Sequence, residues 1–397
     1  MINLDLGNIY IDGEHIRQLI LLIKRKGTPE FTSYKEDLAK IKQTLRPYAK
    51  LQNLVIIGHG GSINSFKALY HQKLTKSKKR FVIINSNEPE FISDVKKTCS
   101  KNSTLVMPIS KSGETMDSIE ALLAFDGYKT VAITENKPNT LFKMAKKRKW
   151  PIIFHPDIGG RYSGISSCAY APLIFMGLDV ARIDKGAKQM YKRCCPETGF
   201  EDNPSLQLAM VIFVLELQGY TEVYLPVYST RLTSFFPLII QLMHESVCKS
   251  GKGVTFYGDM GPECQHHTNQ RFFGGRKNVM GLFVRVKDSS ALMIKVPKDL
   301  AKVDLRGSPL GILDKLPYAK SIDFEFLGVR EHTIHYKIPY AVLTVDGVLE
   351  ESLGALMAFW HYVAIYSSWL RNVDPFDQPE VEFAKKHSFE LTRNYRR

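Results

Sequence analysis

The chain has few cysteines and no pattern among them. Cys99, Cys168, Cys194, Cys195, Cys248 and Cys264 form no CxxC pair, which argues against a structural zinc site. The adjacent pair His266-His267 lacks the i, i+4 spacing of a helical metal pair, so no metal is expected. Residues 1–6 show no basic segment leading into an apolar core, and so no secretory signal. Without one, scattered cysteines read as reduced thiols in a cytoplasmic protein. Long hydrophobic runs are missing too. The longest, residues 355–370, carries His361, Ser367 and Ser368. It is shorter than a membrane span and reads as a buried helix, so no membrane partner is expected. Acidic residues are in deficit: 40 Asp and Glu against 54 Lys and Arg leave a net charge of +14. Such an excess raises nucleic acid as a partner. The densest basic run, Lys146-Lys147-Arg148-Lys149, lies instead where an amphipathic helix would end before Pro151, a place the helix dipole favours for cations. No helix-turn-helix, zinc finger or aromatic RNA-binding motif accompanies it. A nucleic-acid partner is therefore not expected, and the charge is left to draw in anionic substrates.

What is present describes a soluble globular chain, with 397 residues, 44% of them hydrophobic and 24% charged. That length exceeds one ordinary core, so two domains are expected. Apolar, β-branched runs at residues 54–57, 81–84, 104–109 and 130–133 alternate with helical patterns, the signature of a parallel sheet buried on both faces. A second unit begins near residue 205, with strands expected at 222–227, 279–286 and 291–296. The charged segment between Asp179 and Asn203 is taken as the boundary, giving domains of residues 1–195 and 196–397. The fold class is α/β.

In open α/β sheets ligands bind at the carboxyl ends of strands, and two turns of interest lie there. Ser110-Lys111-Ser112-Gly113-Glu114-Thr115 follows an apolar run and precedes a helical one. Three hydroxyls and a glycine at a helix N-terminus suit a phosphate; the plainer reading is that Ser or Thr merely caps the helix. Gly58-His59-Gly60-Gly61-Ser62 is a glycine-rich turn without the GxGxxG spacing or the P-loop GKS/T ending. Further along, Arg161 follows Gly159-Gly160, where it could serve an oxyanion or a partner carboxylate. Glu245 ends a helical pattern on an edge shared with Leu238 and Leu242. Partial burial there would raise a carboxyl pKa and make a better base near neutrality, whereas a solvated helix-end charge would do nothing. His266 lies in a turn-rich loop, where a neutral imidazole can move protons or be inert. Asp377 reads as the cap of a terminal helix that carries Lys385 and Lys386.

Taken in order, Gly-Gly-Ser, Ser-Lys-Ser-Gly-x-Thr, Gly-Gly-Arg-Tyr-Ser, Tyr-Ser-x-Arg-Leu, Glu-Ser-x-x-Lys-x-Gly-Lys-Gly, Gln-His and Phe-Asp-Gln-x-x-Val-Glu closely resemble the glucose-6-phosphate isomerase (phosphoglucose isomerase) family. The resemblance runs from about Leu54 to Phe389. It implies two sugar-isomerase (SIS) domains, each a three-layer α/β/α sandwich with a mainly parallel sheet. It also implies interconversion of glucose 6-phosphate and fructose 6-phosphate through a cis-enediol, without cofactor. Ser62, Ser110, Lys111, Ser112 and Thr115 would hold the substrate phosphate. Glu245 would shuttle the proton between C2 and C1, Arg161 would stabilise the enediolate, and His266 with Lys385 would assist ring opening. In the family that histidine comes from the partner subunit, so a homodimer is implied. The chemistry asks for the same parts: a base, an electrophile for the oxyanion and an anchor for phosphate.

Some positions depart from the family pattern. Glu114 stands where a second hydroxyl is common and would repel phosphate unless it points outward. Lys385 rather than Lys386 keeps the family spacing of seven residues after Gln378. The chain resembles the compact prokaryotic forms, which lack a long N-terminal extension. A non-catalytic sugar-phosphate-binding regulator on the same fold is the alternative, one that could dispense with Glu245, Arg161 and His266. Acceptance of mannose 6-phosphate, further partners and thermal range are not legible in the sequence.

Overall fold

A computed structural model describes residues 2–287 and 290–395, the side chains of His15 and Ser62 excepted. Two compact units divide the chain, and they are interleaved along it. The smaller comprises Met1–Asp12, Val214–Thr233 and Val254–Val348; the larger comprises Gly13–Phe213, Ser234–Gly253 and Leu349–Arg397. This division differs from a single boundary at 195/196, and long-range pairing is the reason. The N-terminal strand Ile2–Asp5 runs antiparallel to Tyr340–Val345. The segment taken as a boundary is no linker. It forms the helix Val180–Arg193, capped by Asp179, whose buried side packs along the late helix Glu350–Leu370.

The sheet of the larger unit is parallel, in the order Arg80–Ile84, Asn53–Ile57, Thr104–Pro108, Lys129–Thr130. Ala132–Thr134 and Ile152–Phe154 form a further parallel pair, joined to the sheet by a bridge between Ile109 and Ile133. The β-branched runs form these strands because both faces are covered. Val55, Ile57 and Val106 pack with Val95, Leu122 and Leu141 of three helices on one face. Leu54, Ile56, Leu105 and Met107 point the other way and are equally buried. The run at 130–133 changes partner after Val131, whose N–H still reaches the Val106 carbonyl while the Ala132 N–H goes to Pro151.

The smaller unit is also α/β. Its sheet runs Ile2–Asp5, Tyr340–Val345, Val279–Val286, Glu222–Tyr224, Thr255–Tyr257, parallel except for the first strand. The strand expected over 222–227 breaks before Pro226, which has no N–H to donate. Val227–Tyr228 then resumes pairing with Val279–Val286. Residues 291–296 form no strand; Met293 makes only a lone bridge to Pro317. Backbone bonds in that stretch go to loop partners, as when Ile294 donates to Leu316.

The apolar run at 355–370 lies within the helix Glu350–Leu370, buried throughout its second half. Among the described residues no helix is long and apolar enough to cross a membrane. This helix approaches its neighbour with no room to spare. A Cβ on Gly354 would stand 1.9 Å from the Ile183 carbonyl oxygen, a backbone atom that cannot swing aside. Gly354→Ala should therefore force the two helices apart and lower unfolding free energy by about 1–3 kcal/mol, the usual cost of overpacking. Urea unfolding of the two proteins reads this directly; an unchanged midpoint would show that the helices separate freely.

Candidate active site

Strands Asn53–Ile57 and Thr104–Pro108 are parallel neighbours, so the turns leaving their carboxyl ends lie side by side. Each turn enters a helix, Gly61–Leu69 or Met116–Ala124. Two adjacent helix N-termini concentrate unpaired N–H groups and favour an anion. In the second turn Ser110 is buried. Its Oγ accepts from the Gly113 N–H at 3.1 Å and lies 3.1 Å from Thr115 Oγ1. Thr115 occupies the N-cap position, yet its hydroxyl makes no capping bond. Capping therefore does not account for the hydroxyls gathered here.

Other members of the turn face different ways. Ser112 is exposed and accepts from the Glu114 N–H at 3.3 Å. Glu114 is exposed as well. The Lys111 ammonium lies 2.8 Å from Asp157 and 3.5 Å from Glu135. Hydrogen bonding to Lys111 holds the Asp157 carboxyl below its usual range. That ion pair ties the turn to the segment just before Arg161. Ser62 is the second residue of the other helix, and its side chain lies outside the described residues.

Arg161 sits on the short 3-10 segment Gly160–Ile165. A Cβ on Gly61 would stand 2.2 Å from the Gly160 carbonyl oxygen, so only glycine lets the first turn abut this segment. The guanidinium is 3% exposed and all five of its N–H groups are used. Nε donates to Ser246 Oγ at 2.8 Å. Nη1 donates to Glu245 Oε2 at 3.1 Å and to Gln378 Oε1 at 2.7 Å. Nη2 donates to the carbonyls of Pro375 and Asp377, at 2.6 and 2.8 Å.

Tyr162 completes a ring around this centre. Its Oη lies 2.8 Å from Ser246 Oγ and 3.2 Å from the Pro375 carbonyl. Burial pushes the phenol up to about 12, so it stays protonated and can donate. One assignment places every proton: Arg161 to Ser246, Ser246 to Tyr162, Tyr162 to Pro375. This direction follows from donor counting, since the arginine can only donate and the Pro375 carbonyl can only accept.

Glu245 lies on the helix Phe236–Val247, with its side chain 27% exposed. Partial burial there matches its edge of the helix. Its second oxygen, Oε1, accepts from Gln241 Nε2 at 3.0 Å, and Gln241 Oε1 accepts from Asn64 at 2.9 Å. Asn64 belongs to the same helix, Gly61–Leu69. Glu245 is thus held by Arg161 on one oxygen and by Gln241 on the other, a bound carboxylate with solvent on one side.

Three further sequence candidates have other surroundings. Lys385 is exposed on the helix Glu382–Asn394 and pairs with Glu382 at 2.8 Å; Lys386 is exposed as well. Asp377 does not cap that helix. Its carboxylate pairs with Lys249 at 2.5 Å, while Val381 holds the cap position. His266 belongs to the smaller unit. It is exposed and follows the short helix Gly261–Cys264.

The model of the family described as phosphoglucose isomerase matches residues 25–286. The chain belongs to the phosphoglucose isomerase family. A glucose-6-phosphate isomerase of Acholeplasma laidlawii is 27% identical over 376 residues, covering 90% of this chain and 87% of that protein. Among solved structures, a hypothetical protein of Thermus thermophilus superposes with a TM-score of 0.87 at 23% identity, covering 99% of this chain and all of that one. A glucose-6-phosphate isomerase of Chlamydia trachomatis gives 0.78 at 20% identity, over 98% of this chain and 88% of that one. At such identities the superpositions speak for the fold alone.

Within this family member, sequence reasoning passed over Asn64, Gln241, Ser246 and the Pro375–Gln378 carbonyl shelf. Ser246 and Gln378 stand inside the quoted motifs, so their positions were visible while their work was not. Ser246→Ala would leave the Arg161 Nε–H buried without an acceptor. We expect a loss of about 1–3 kcal/mol in unfolding free energy for that orphaned donor, measured by urea titration. Ser246→Thr, which keeps the hydroxyl, should recover most of it. Equal losses in both variants would mean that packing, not the hydroxyl, matters there.

Proposed function

We propose that this protein interconverts glucose 6-phosphate and fructose 6-phosphate through a cis-enediol intermediate. The observation that carries the reading is the Arg161–Glu245 pair, 3.1 Å apart and tied through Gly61, Gln241 and Asn64 to the helix beside the hydroxyl-rich turn. Ser110 and Thr115, with the free N–H groups of the two helix starts, anchor the phosphate. Ser62 and Ser112 belong to the same anchoring set. Lys111 serves it through its backbone and by holding Asp157.

Glu245 takes the proton from C2 of the aldose as the base. Negative charge then moves from its carboxylate to the enediolate oxygens. Arg161 Nη1 loses its anionic partner at that moment and turns its donor to the new oxyanion, so the guanidinium keeps one anion throughout. Because four of its donors stay fixed to Ser246, Gln378, Pro375 and Asp377, little reorganisation accompanies the exchange. The glutamic acid returns the proton to C1, giving the ketose. No electrons leave the substrate, and the reaction as written calls for no redox cofactor.

Ring opening precedes this step and is assigned to His266 and Lys385. The reading includes a cytoplasmic homodimer in which His266 of the partner subunit completes each site. A silent regulator would have no use for a base so held, and the enzyme is the reading retained.

Glu245→Gln should bind fructose 6-phosphate nearly as well as the parent and lose turnover by about three orders of magnitude or more, as expected when a general base and its proton are removed. A coupled assay on glucose, fructose and mannose 6-phosphates, with calorimetry for binding, checks this. Near-parental turnover would overturn the assignment of the base. The partner contribution has its own measurement. Glu245→Gln and His266→Ala, each inactive alone, should recover roughly a quarter of parental activity when unfolded and refolded together, since half the dimers are mixed and half of their sites intact. Recovery fails if His266 acts within its own chain.

A further inference from the structure

The net charge of this protein is unevenly distributed along the sequence. Between Asp37 and Glu88 the chain has no acidic residue and ten lysines and arginines. The fold draws part of this stretch together on the larger unit. The helix Leu38–Leu45 and the 3-10 turn Arg46–Tyr48 come against residues 76–79, because Lys79 Nζ donates to the Ala49 carbonyl at 2.8 Å. Thr75 Oγ1 donates to the Met176 carbonyl at 2.9 Å, bringing in the end of the helix Ser167–Phe175.

Between these elements lies a groove of about 670 Å³ with no acidic residue in its lining. Lys42, Arg46 and Lys79 stand around it, and Leu45, Phe175 and Leu178 contribute apolar surface. Among the described residues none of the three cations is paired with a carboxylate. Lys42 and Arg46 are exposed; Lys79 lies 3.8 Å over the Phe175 ring. Burial lowers the Lys79 pKa, a penalty that an anion at the groove would offset.

We propose that this groove is a second binding site, for a small polyphosphate bearing a flat or apolar body, such as a nucleoside diphosphate. Three cations without a carboxylate partner ask for at least two negative charges. The apolar surface and the volume ask for more than a bare phosphate, since pockets of this size hold ligands of drug-like dimensions. The site differs from the sugar-phosphate centre in kind, because its cations are side chains on a helix and a loop rather than the helix N-termini of Ser110–Thr115. It lies at the far end of the helix Ser167–Phe175, which starts just past Arg161.

Calorimetric titration of the full-length protein with ADP tests the proposal, using inorganic pyrophosphate and a short RNA as companion probes. We expect micromolar to millimolar ADP binding that saturating fructose 6-phosphate does not displace, with pyrophosphate at least tenfold weaker. Lys42→Glu and Arg46→Glu are surface changes outside the isomerase machinery. Each should weaken ADP by tenfold or more and leave turnover without nucleotide unchanged. Displacement by fructose 6-phosphate would assign the binding to the sugar-phosphate site and overturn the proposal. Pyrophosphate binding as tightly as ADP would remove the apolar requirement, RNA binding without ADP binding would make the face a nucleic-acid surface, and no ADP binding up to millimolar concentration would leave the groove without this ligand.

Discussion

A single guanidinium organises the larger unit's chemistry. Arg161 is buried, and such a charge is tolerable only when every donor meets an acceptor. Here five acceptors come from two stretches of chain: Glu245 and Ser246 from one helix, and the Gln378 side chain with the carbonyls of Pro375 and Asp377 from the motif before the terminal helix. Removing any one partner leaves a buried polar group exposed to the low dielectric around it. The geometry of the candidate base is therefore a consequence of satisfying Arg161. Glu245 contributes the anion, and its position is fixed by the same bond.

The rest of the unit supports this arrangement. Ser368, on the long buried helix, donates to the backbone carbonyls of Ala364 and Ser246, fixing the segment that presents Glu245. Tyr162 packs against His361 of that helix at 5.5 Å between ring centroids. Burial drives the His361 imidazole down to about 3, so it stays neutral beside Arg161 across the working range of pH. Lys249 hydrogen-bonds the Asp374 carbonyl and pairs with the Asp377 carboxylate, clamping the shelf on which the guanidinium rests. The parallel sheet supplies the remaining element, two helix starts held side by side. Rigid elements surround the candidate base and guanidinium, an arrangement suited to preorganisation.

The sequence made local features legible and left long-range ones hidden. Strands at 54–57, 81–84 and 104–109 are readable because β-branched runs buried on both faces have a recognisable pattern. The buried helix at 355–370 is readable for a similar reason. Residues 291–296 have the composition of a strand, yet their N–H groups find loop partners instead. The helix Val180–Arg193 resembles a charged linker until its apolar stripe meets Gly354 and its neighbours. At the site, motif order marks out Arg161, Glu245 and the Ser110–Thr115 turn. It does not disclose that Thr115 leaves its hydroxyl uncapped, nor that Lys111 faces Asp157. Those facts depend on where side chains far apart in sequence come to rest, and Arg161 meets Gln378 across 217 positions.

The +14 charge likewise acquires a location only in three dimensions, gathered partly around the groove of Lys42, Arg46 and Lys79. Catalysis as proposed turns on Glu245 moving a proton rather than the substrate moving a hydride. Proton NMR of glucose 6-phosphate held at equilibrium with the protein in D2O measures this directly. A proton shuttled by a carboxylate exchanges with solvent over many turnovers, and the C2–H signal should fade as deuterium enters. A C2–H signal that persists while glucose and fructose 6-phosphates interconvert would contradict the account.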